Sequence, residues 1–246
     1  MHGLILAGGT GSRLAADGVD GPKAAVAIAG RPQLVRLVAT LHELGCPTIT
    51  CMLRDNAADA TGTAAHAMRT LLDGVAELGS TAVRVVPCRT PSSLHTLVDG
   101  LATVPPGDVF CTMVDTVMRN RDWHLVYAAA TDLLAAGADA VLAVTPFVDD
   151  ERPLWVERDS AGVVRRLGDA PASPPCVTGG VYAFGAAARA EAARARREGI
   201  SRMRGFLSRL VDEGARVATV EVTRIVDVDR RQDLELANAW LGAEDE

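Results

Sequence analysis

The chain is 246 residues long, 48% hydrophobic and 23% charged, with a formal net charge of −6. A chain of this length buries roughly 70–75% of its unfolded surface, so it needs neither a disulfide framework nor a structural metal, and one α/β domain is the expectation. The acidic balance argues against nucleic acid or an anionic membrane as partner, because binding a polyanion depends on clustered positive charge.

No apolar run reaches the roughly 20 residues that span a bilayer, and the opening MHGLILAGG has neither a charged leader nor a long apolar segment, so a cytoplasmic chain is expected. Cys46, Cys51, Cys88, Cys111 and Cys176 are scattered and form no CxxC pair, which predicts buried reduced thiols. Of the 25 lysines and arginines, 24 are arginine; Lys23 is the only lysine.

Short runs rich in Val and Ile alternate with longer segments in which Leu and Ala recur every three to four residues, the pattern of βαβ units. In chain order the sequence predicts strand 3–7, helix 32–44, strand 48–53, helix 62–78, strand 82–87, helix 92–103, strand 109–114, helix 122–136 and strand 139–145. Strand 177–184, helices 186–198 and 202–213, strand 216–223 and helix 230–241 follow. Pro32 opens the first long helix and Gly45 lies just past its end. Between about 146 and 176 the alternation breaks, and LWVERD and VVRRL around Ser160-Ala161-Gly162 predict a β-hairpin insertion. The expected architecture is α/β, a three-layer sandwich of one predominantly parallel mixed sheet with helices on both faces and a small hairpin insertion.

Directly after the first strand comes Leu6-Ala7-Gly8-Gly9-Thr10-Gly11-Ser12-Arg13-Leu14. Three glycines in four positions let the backbone turn sharply and aim successive N–H groups into one concavity, which suits phosphate oxygens. In an open parallel sheet ligands gather outside the carboxyl ends of the strands, and this loop leaves such an end. The dinucleotide fingerprint GxGxxG would need glycine where Leu14 stands, and the P-loop GxxxxGK[ST] is excluded because Lys23 lies between Pro22 and Ala24. The plain alternative is a tight strand-to-helix turn with a solvated arginine.

LAGGTGSRL followed by GPKAAVAIAGRPQL resembles the signature of the nucleotidyltransferases, the family of sugar-1-phosphate nucleotidyltransferases, cytidylyltransferases of small phosphorylated alcohols and MobA-like NTP transferases. The resemblance implies a Rossmann-like fold in a single domain of residues 1–246, with an NTP-binding half over about 1–115 and an acceptor-binding half over about 116–246. It places Leu6, Ala7, Gly8, Gly9, Thr10, Gly11, Ser12 and Arg13 around the triphosphate, with Lys23 at the reacting phosphorus. A lysine retained in an arginine-using chain fits that role, since a compact ammonium approaches phosphoryl oxygens more flexibly than a planar guanidinium.

Asp115 sits at the carboxyl end of the strand Val109-Phe110-Cys111-Thr112-Met113-Val114. Such an aspartate is either a helix N-cap or a Mg²⁺ ligand, since Mg²⁺ takes one or two carboxylates plus substrate phosphate oxygens. The segment Asp227-Val228-Asp229-Arg230-Arg231-Gln232-Asp233-Leu234 resembles the family's closing D-x-D-x-x-x-D-L. The resemblance implies that Asp115 and Asp229 hold Mg²⁺, with Asp227 as the substitute for Asp229, and Asp233 suits the first turn of the last helix.

On the far side of the expected cleft the pattern thins. Thr90, Ser92 and Ser93 stand where the family often touches base or ribose, but serines at a helix start are as often plain caps. His95 reads as a surface histidine. Thr178-Gly179-Gly180-Val181-Tyr182-Ala183-Phe184 resembles the family's acceptor strand, which implies Thr178, Gly179 and Gly180 against the acceptor. The family's E-K-P element is replaced by Leu167-Gly168-Asp169-Ala170-Pro171, leaving Arg165 or Arg166 to supply charge and Glu157 to bind hydroxyls, or all three to face solvent. Seven arginines lie between 189 and 209; most are expected on a solvated helix face, with Arg202 and Arg204 as anion ligands at the start of a helix.

Together these residues imply an enzyme that moves NMP from an NTP to a phosphorylated small molecule, acting as monomer or homodimer without nucleic acid or membrane. A cytidylyltransferase of a non-sugar phosphate or phosphonate, a glycosyltransferase of similar topology, and a nucleotide-sensing domain without turnover are the alternatives.

Overall fold

A computed structural model describes residues 1–55, 70, 72, 81–149 and 151–242. Strand β1 (His2–Ala7) leads through the glycine loop into the short helix α1 (Ser12–Ala16), a 3₁₀ turn at Lys23–Ala25 and the two-residue strands β2 (Ala27–Ile28) and β3 (Arg31–Pro32). Helix α2 (Gln33–Glu43), β4 (Thr48–Arg54), β5 (Ala82–Cys88), α3 (Ser93–Leu101), β6 (Val109–Met113) and β7 (Thr116–Val117) follow. Then come α4 (Asn120–Ala135), β8 (Ala140–Thr145), the hairpin β9 (Trp155–Arg158) and β10 (Val164–Gly168), and β11 (Val177–Phe184). The described chain closes with α5 (Ala186–Arg197), α6 (Met203–Asp212), β12 (Val217–Glu221), β13 (Val226–Asp227) and α7 (Arg231–Gly242). Pro32 stands at the N-cap of α2 as expected. The expected helix 62–78 falls outside the described residues except at 70 and 72.

The main sheet runs β5-β4-β1-β6-β11-β8-β12, with β9 and β10 carried on the first residues of β11. β5, β4, β1, β6, β8 and β12 share one direction, and β11 alone runs against them between β6 and β8. Alternation along each strand divides the core. Ile5, Cys51, Phe110, Val141 and Val181 face α2 and α4, while Leu4, Leu6, Cys111, Leu142 and Phe184 face α3, α5 and α6. A third cluster, Leu14, Val26, Ile28, Val117, Val226 and Val228, lies beneath α7 and carries the glycine loop and the last strand on one apolar seat. All five cysteines are buried thiols, and burial pushes Cys46 up to about 11 and Cys51 to about 12, so neither is a thiolate at neutral pH.

Most of the seven arginines between 189 and 209 are structural, though paired rather than simply solvated. Arg189 donates to the carbonyls of Leu101, Val104, Pro105 and Gly107 at the end of α3. Arg194 and Arg209 share Glu191 and Glu198, which ties α5 to α6.

Candidate active site

The glycine loop leaves β1 at its carboxyl end and runs against α3. A Cβ on Gly8 would stand 2.6 Å from Thr96 Oγ1 and 3.3 Å from Thr90 Oγ1, so only glycine lets the backbone pass the threonine pair, whose hydroxyls are 2.5 Å apart. Arg54, the last residue of β4, donates Nη1 to Gly8 O at 3.0 Å. These groups line a cleft of about 230 Å³ that also includes Leu6, Gly9, Thr10, Ser92 and Ser93. A second cleft continues along Gly9, Thr10, Gly11, Ser12 and Arg13 to Lys23 and Asp229. Ala7 faces the core layer under α2 and lines neither.

Gly9 and Thr10 are common to both clefts, and Lys23 lines the second. Its Nζ donates to Asp115 Oδ2 at 2.8 Å and also to Asp229 Oδ1, while Arg13 Nη1 donates to Asp229 Oδ2 at 2.6 Å. The lysine side chain is 11% exposed. Burial lowers its pKa, but the carboxylates of Asp115 and Asp229 outweigh that and hold it above the ordinary lysine value.

Two aspartates 114 positions apart in the chain meet because a small ladder brings their backbones together. β7 pairs antiparallel with β13, Thr116 opposite Asp227 and Val117 opposite Val226, and Val228 N donates to Asp115 O at 2.9 Å. Asp233 then accepts from Asp229 N at 3.0 Å and Arg230 N at 2.7 Å at the head of α7, the helix-start role its position suggested. Asp227 Oδ1 instead accepts from Thr116 Oγ1 at 3.3 Å. Of the two candidates it is Asp229, not Asp227, that shares Lys23 with Asp115.

A third cleft adjoins Asp115, lined by Thr178, Gly180 and Tyr182 of β11 together with Arg152, Arg202, Arg204 and Asp227. Gly180 has φ of +77°, and its missing Cβ leaves the space taken by Thr116 Oγ1, which donates to Gly179 O at 3.1 Å. Arg204 donates to Asp169 Oδ1 at 2.5 Å and Arg152 O at 2.8 Å, fastening α6 to the segments on either side of the hairpin.

Some expected residues lie elsewhere or are already engaged. Glu157 is not in this cleft. It stands opposite Arg166 in the β9–β10 register and pairs with it on the outer face, and Arg165 pairs with Asp159 in the same way. Ser92 and Ser93 line the first cleft, yet Ser92 donates to Ser201 O and lies 2.8 Å from His95 Nδ1, while Ser93 Oγ accepts from Met203 N at 2.9 Å. A larger hollow of about 600 Å³ opens beside the hairpin, but its charged groups are already matched, Arg158 to Glu221 and Asp159 to Arg165. Arg54, Thr96 and Arg152 also line the clefts. Of these, Arg54 alone carried a signal in the sequence, as a polar residue ending a buried strand at the ligand-bearing edge.

Among the described residues no group of three or more His, Cys, Asp or Glu could cage a metal ion, and no helix is long and apolar enough to cross a membrane. Two carboxylates nevertheless converge on one cation, the Lys23 ammonium, and the donors are all hard oxygens. That set fits Mg²⁺, which binds through one or two carboxylates and completes its shell from water and phosphate.

A mixed α/β sheet with a glycine loop, a buried lysine and paired carboxylates at its carboxyl edge is the arrangement of a nucleotidyltransferase. The chain belongs to the MobA-like NTP transferase domain family, whose model matches residues 3–213. No curated protein matches it in sequence. Among solved structures it is similar to a UDP-glucose pyrophosphorylase from Acinetobacter baumanii, with a TM-score of 0.77 at 14% identity over 99% of this chain and 93% of that one. The inositol-1-phosphate CTP transferase from T. maritima gives 0.73 at 14% identity over 96% and 94%. A nucleoside-diphosphate-sugar pyrophosphorylase from Vibrio cholerae RC9 gives 0.69 at 14% identity over 96% and 99%. At these identities the structural likeness speaks for the fold, and the family match for the enzyme class.

Proposed function

We propose that the protein transfers the nucleotidyl group of an NTP to the phosphate of a small phosphorylated acceptor, a sugar-1-phosphate or a similar alcohol phosphate, and releases pyrophosphate. The observation that carries this reading is a run of three adjoining clefts: the second is lined by Lys23 and Asp229, the third by Asp115, and the first shares Gly9 and Thr10 with the second and Ser93 and Met113 with the third. One cleft has the glycine loop for phosphates, one has room beside Gly8 for the nucleoside, and one is rimmed by arginines suited to an anionic acceptor. On this reading residues up to about 115 form a nucleotide half and the remainder an acceptor half.

An ionised oxygen of the acceptor phosphate attacks the α-phosphorus in line, a new P–O bond forms, and the bond from that phosphorus to the bridging oxygen of the β-phosphate breaks. The electron pair leaves with pyrophosphate. No protein base is required, because the nucleophile is already deprotonated at neutral pH. The chain's own contribution is to position the reactants and neutralise charge, through the loop N–H groups, Arg13 and Lys23. Asp115 and Asp229 would hold Mg²⁺, which supplies charge neutralisation on the phosphates when bound.

The test is pyrophosphate release with each of the four NTPs against sugar-1-phosphates, cyclitol phosphates, phosphocholine and phosphonates. Release that depends on one NTP and one acceptor class is expected. No release across the panel would sink the assignment and favour a nucleotide-sensing domain.

A further inference from the structure

We infer that Lys23 exchanges partners during the cycle: in the free enzyme its ammonium occupies the site's two carboxylates, and it passes to the triphosphate only when the nucleotide arrives, so that metal ion and nucleotide enter together. This rests on the proposed function insofar as Asp115 and Asp229 are the metal carboxylates.

The geometry leaves little alternative for one side chain with two tasks. Both oxygens of Asp229 and one of Asp115 are engaged by cations, Oδ1 of Asp229 and Oδ2 of Asp115 by Lys23, and Oδ2 of Asp229 by Arg13. Two aspartates facing one lysine and one arginine sum to zero formal charge. A divalent cation arriving alone therefore meets a neutral cluster and must displace an ammonium that is already hydrogen-bonded and largely out of water, where charge competition at a few ångströms is strong. A nucleotide changes the balance. Its phosphates offer the ammonium a new anionic partner and free the carboxylates at the moment the cation needs them.

The exchange requires no backbone motion. Lys23 begins a 3₁₀ turn closed by Ala25 N to Pro22 O at 2.8 Å and Val26 N to Lys23 O at 3.2 Å. Its Cγ lies so near the glycine loop that a Cβ on Gly11 would be 3.3 Å away. The stem is thus laid along the loop that faces the phosphates, and rotation of its outer torsions carries the charge from carboxylates to loop. A flexible stem bearing a point charge can make this transfer, whereas a guanidinium fork locked on a carboxylate cannot do so as readily.

The experiment measures equilibrium Mn²⁺ binding to the nucleotide-free protein, using the electron paramagnetic resonance signal of unbound Mn²⁺. Lys23→Met keeps the aliphatic stem and Lys23→Gln keeps a polar head, and both remove the charge. Each is expected to bind Mn²⁺ at least about tenfold more tightly than wild type, while Lys23→Arg stays within about threefold of it. Adding Asp115→Asn to either uncharged variant should abolish the gain. Failure of both folded variants to tighten overturns the proposal, as does a gain that survives Asp115→Asn. Wild-type pyrophosphate release with no tightening in the variants would overturn the exchange and leave nucleotidyl transfer standing. Tightening in a protein inert toward every NTP would support competition at the carboxylates and overturn the assigned reaction instead.

Discussion

The two sides of the cleft are built on different physics. On the side proposed for the nucleotide the charged groups are placed by backbone structure, with Asp115 at the tip of a core strand, Lys23 on a 3₁₀ turn and Asp229 fixed between the β7–β13 ladder and the Asp233 cap. On the side proposed for the acceptor, Arg204 is placed by a surface ion pair with Asp169, which is 86% exposed. Groups held by backbone and burial are preorganised for one task, whereas exposed pairs hold loosely and contribute little to stability. On the proposed reading, one fold can thus keep its triphosphate side fixed while the acceptor side varies.

The strongest way to break this contrast is at its rigid side. Lys23→Ala should lower turnover on the order of 100- to 1,000-fold, the scale for losing one preorganised partner of the transition state, and Asp115→Ala should remove activity together with its Mg²⁺ requirement. Steady-state pyrophosphate assays with titrated Mg²⁺ decide both, and a fully active Lys23→Ala enzyme would contradict the assignment. Next in size is Gly180→Ala, which forces a Cβ into a left-handed conformation and against Thr116 Oγ1. The expected loss is about 2–4 kcal/mol, a Tm lower by roughly 5–10 °C in a thermal melt.

A smaller effect concerns alkaline stability. The Lys23 pKa is raised in the folded protein, so its ion pairs stabilise in full below the ordinary lysine value of about 10.4 and are lost only as pH rises through the higher folded value. Wild type and Lys23→Met should therefore differ in Tm by a constant amount from pH 7 to pH 9.5. A difference that shrinks across this range would show that the lysine is not held by its carboxylates. The smallest effect sharpens the other side: Glu157→Ala should leave both Tm and the acceptor KM at wild-type values, and a raised KM would return the hairpin to the acceptor site.

What the sequence disclosed follows the same division. Strand 177–184 coincides with β11, and the glycine loop and Asp115 could be picked out because each follows a strand-length apolar run, whereas Lys23 stood out as the only lysine and the late aspartates by their resemblance to the family's closing segment. The helix α1 and the ladders β2–β3 and β7–β13 are two to five residues long, too short to leave a period, yet the last of these decides between Asp227 and Asp229. Ser92 and Ser93 were open to a base-binding reading because their partners, Ser201 and Met203, lie some 110 residues away. Glu157 was open to two readings for a different reason. A period-two strand shows that alternate residues face opposite ways but not which way, and here Glu157 stands opposite Arg166 and pairs with it across the hairpin.

The β7–β13 ladder also has a consequence for the order in which this molecule is assembled. It joins Thr116 to Asp227 across most of the C-terminal half, and its four residues repay little of the entropy of closing so long a loop. Such a contact forms late, after the sheet and both helical layers have brought its ends near each other. A chain emerging from the ribosome would fold its framework with Asp115 already in place and remain inert until β13 and α7 dock. Competence for chemistry then coincides with completion of the fold, and a partly folded chain has only half a site to offer a nucleotide.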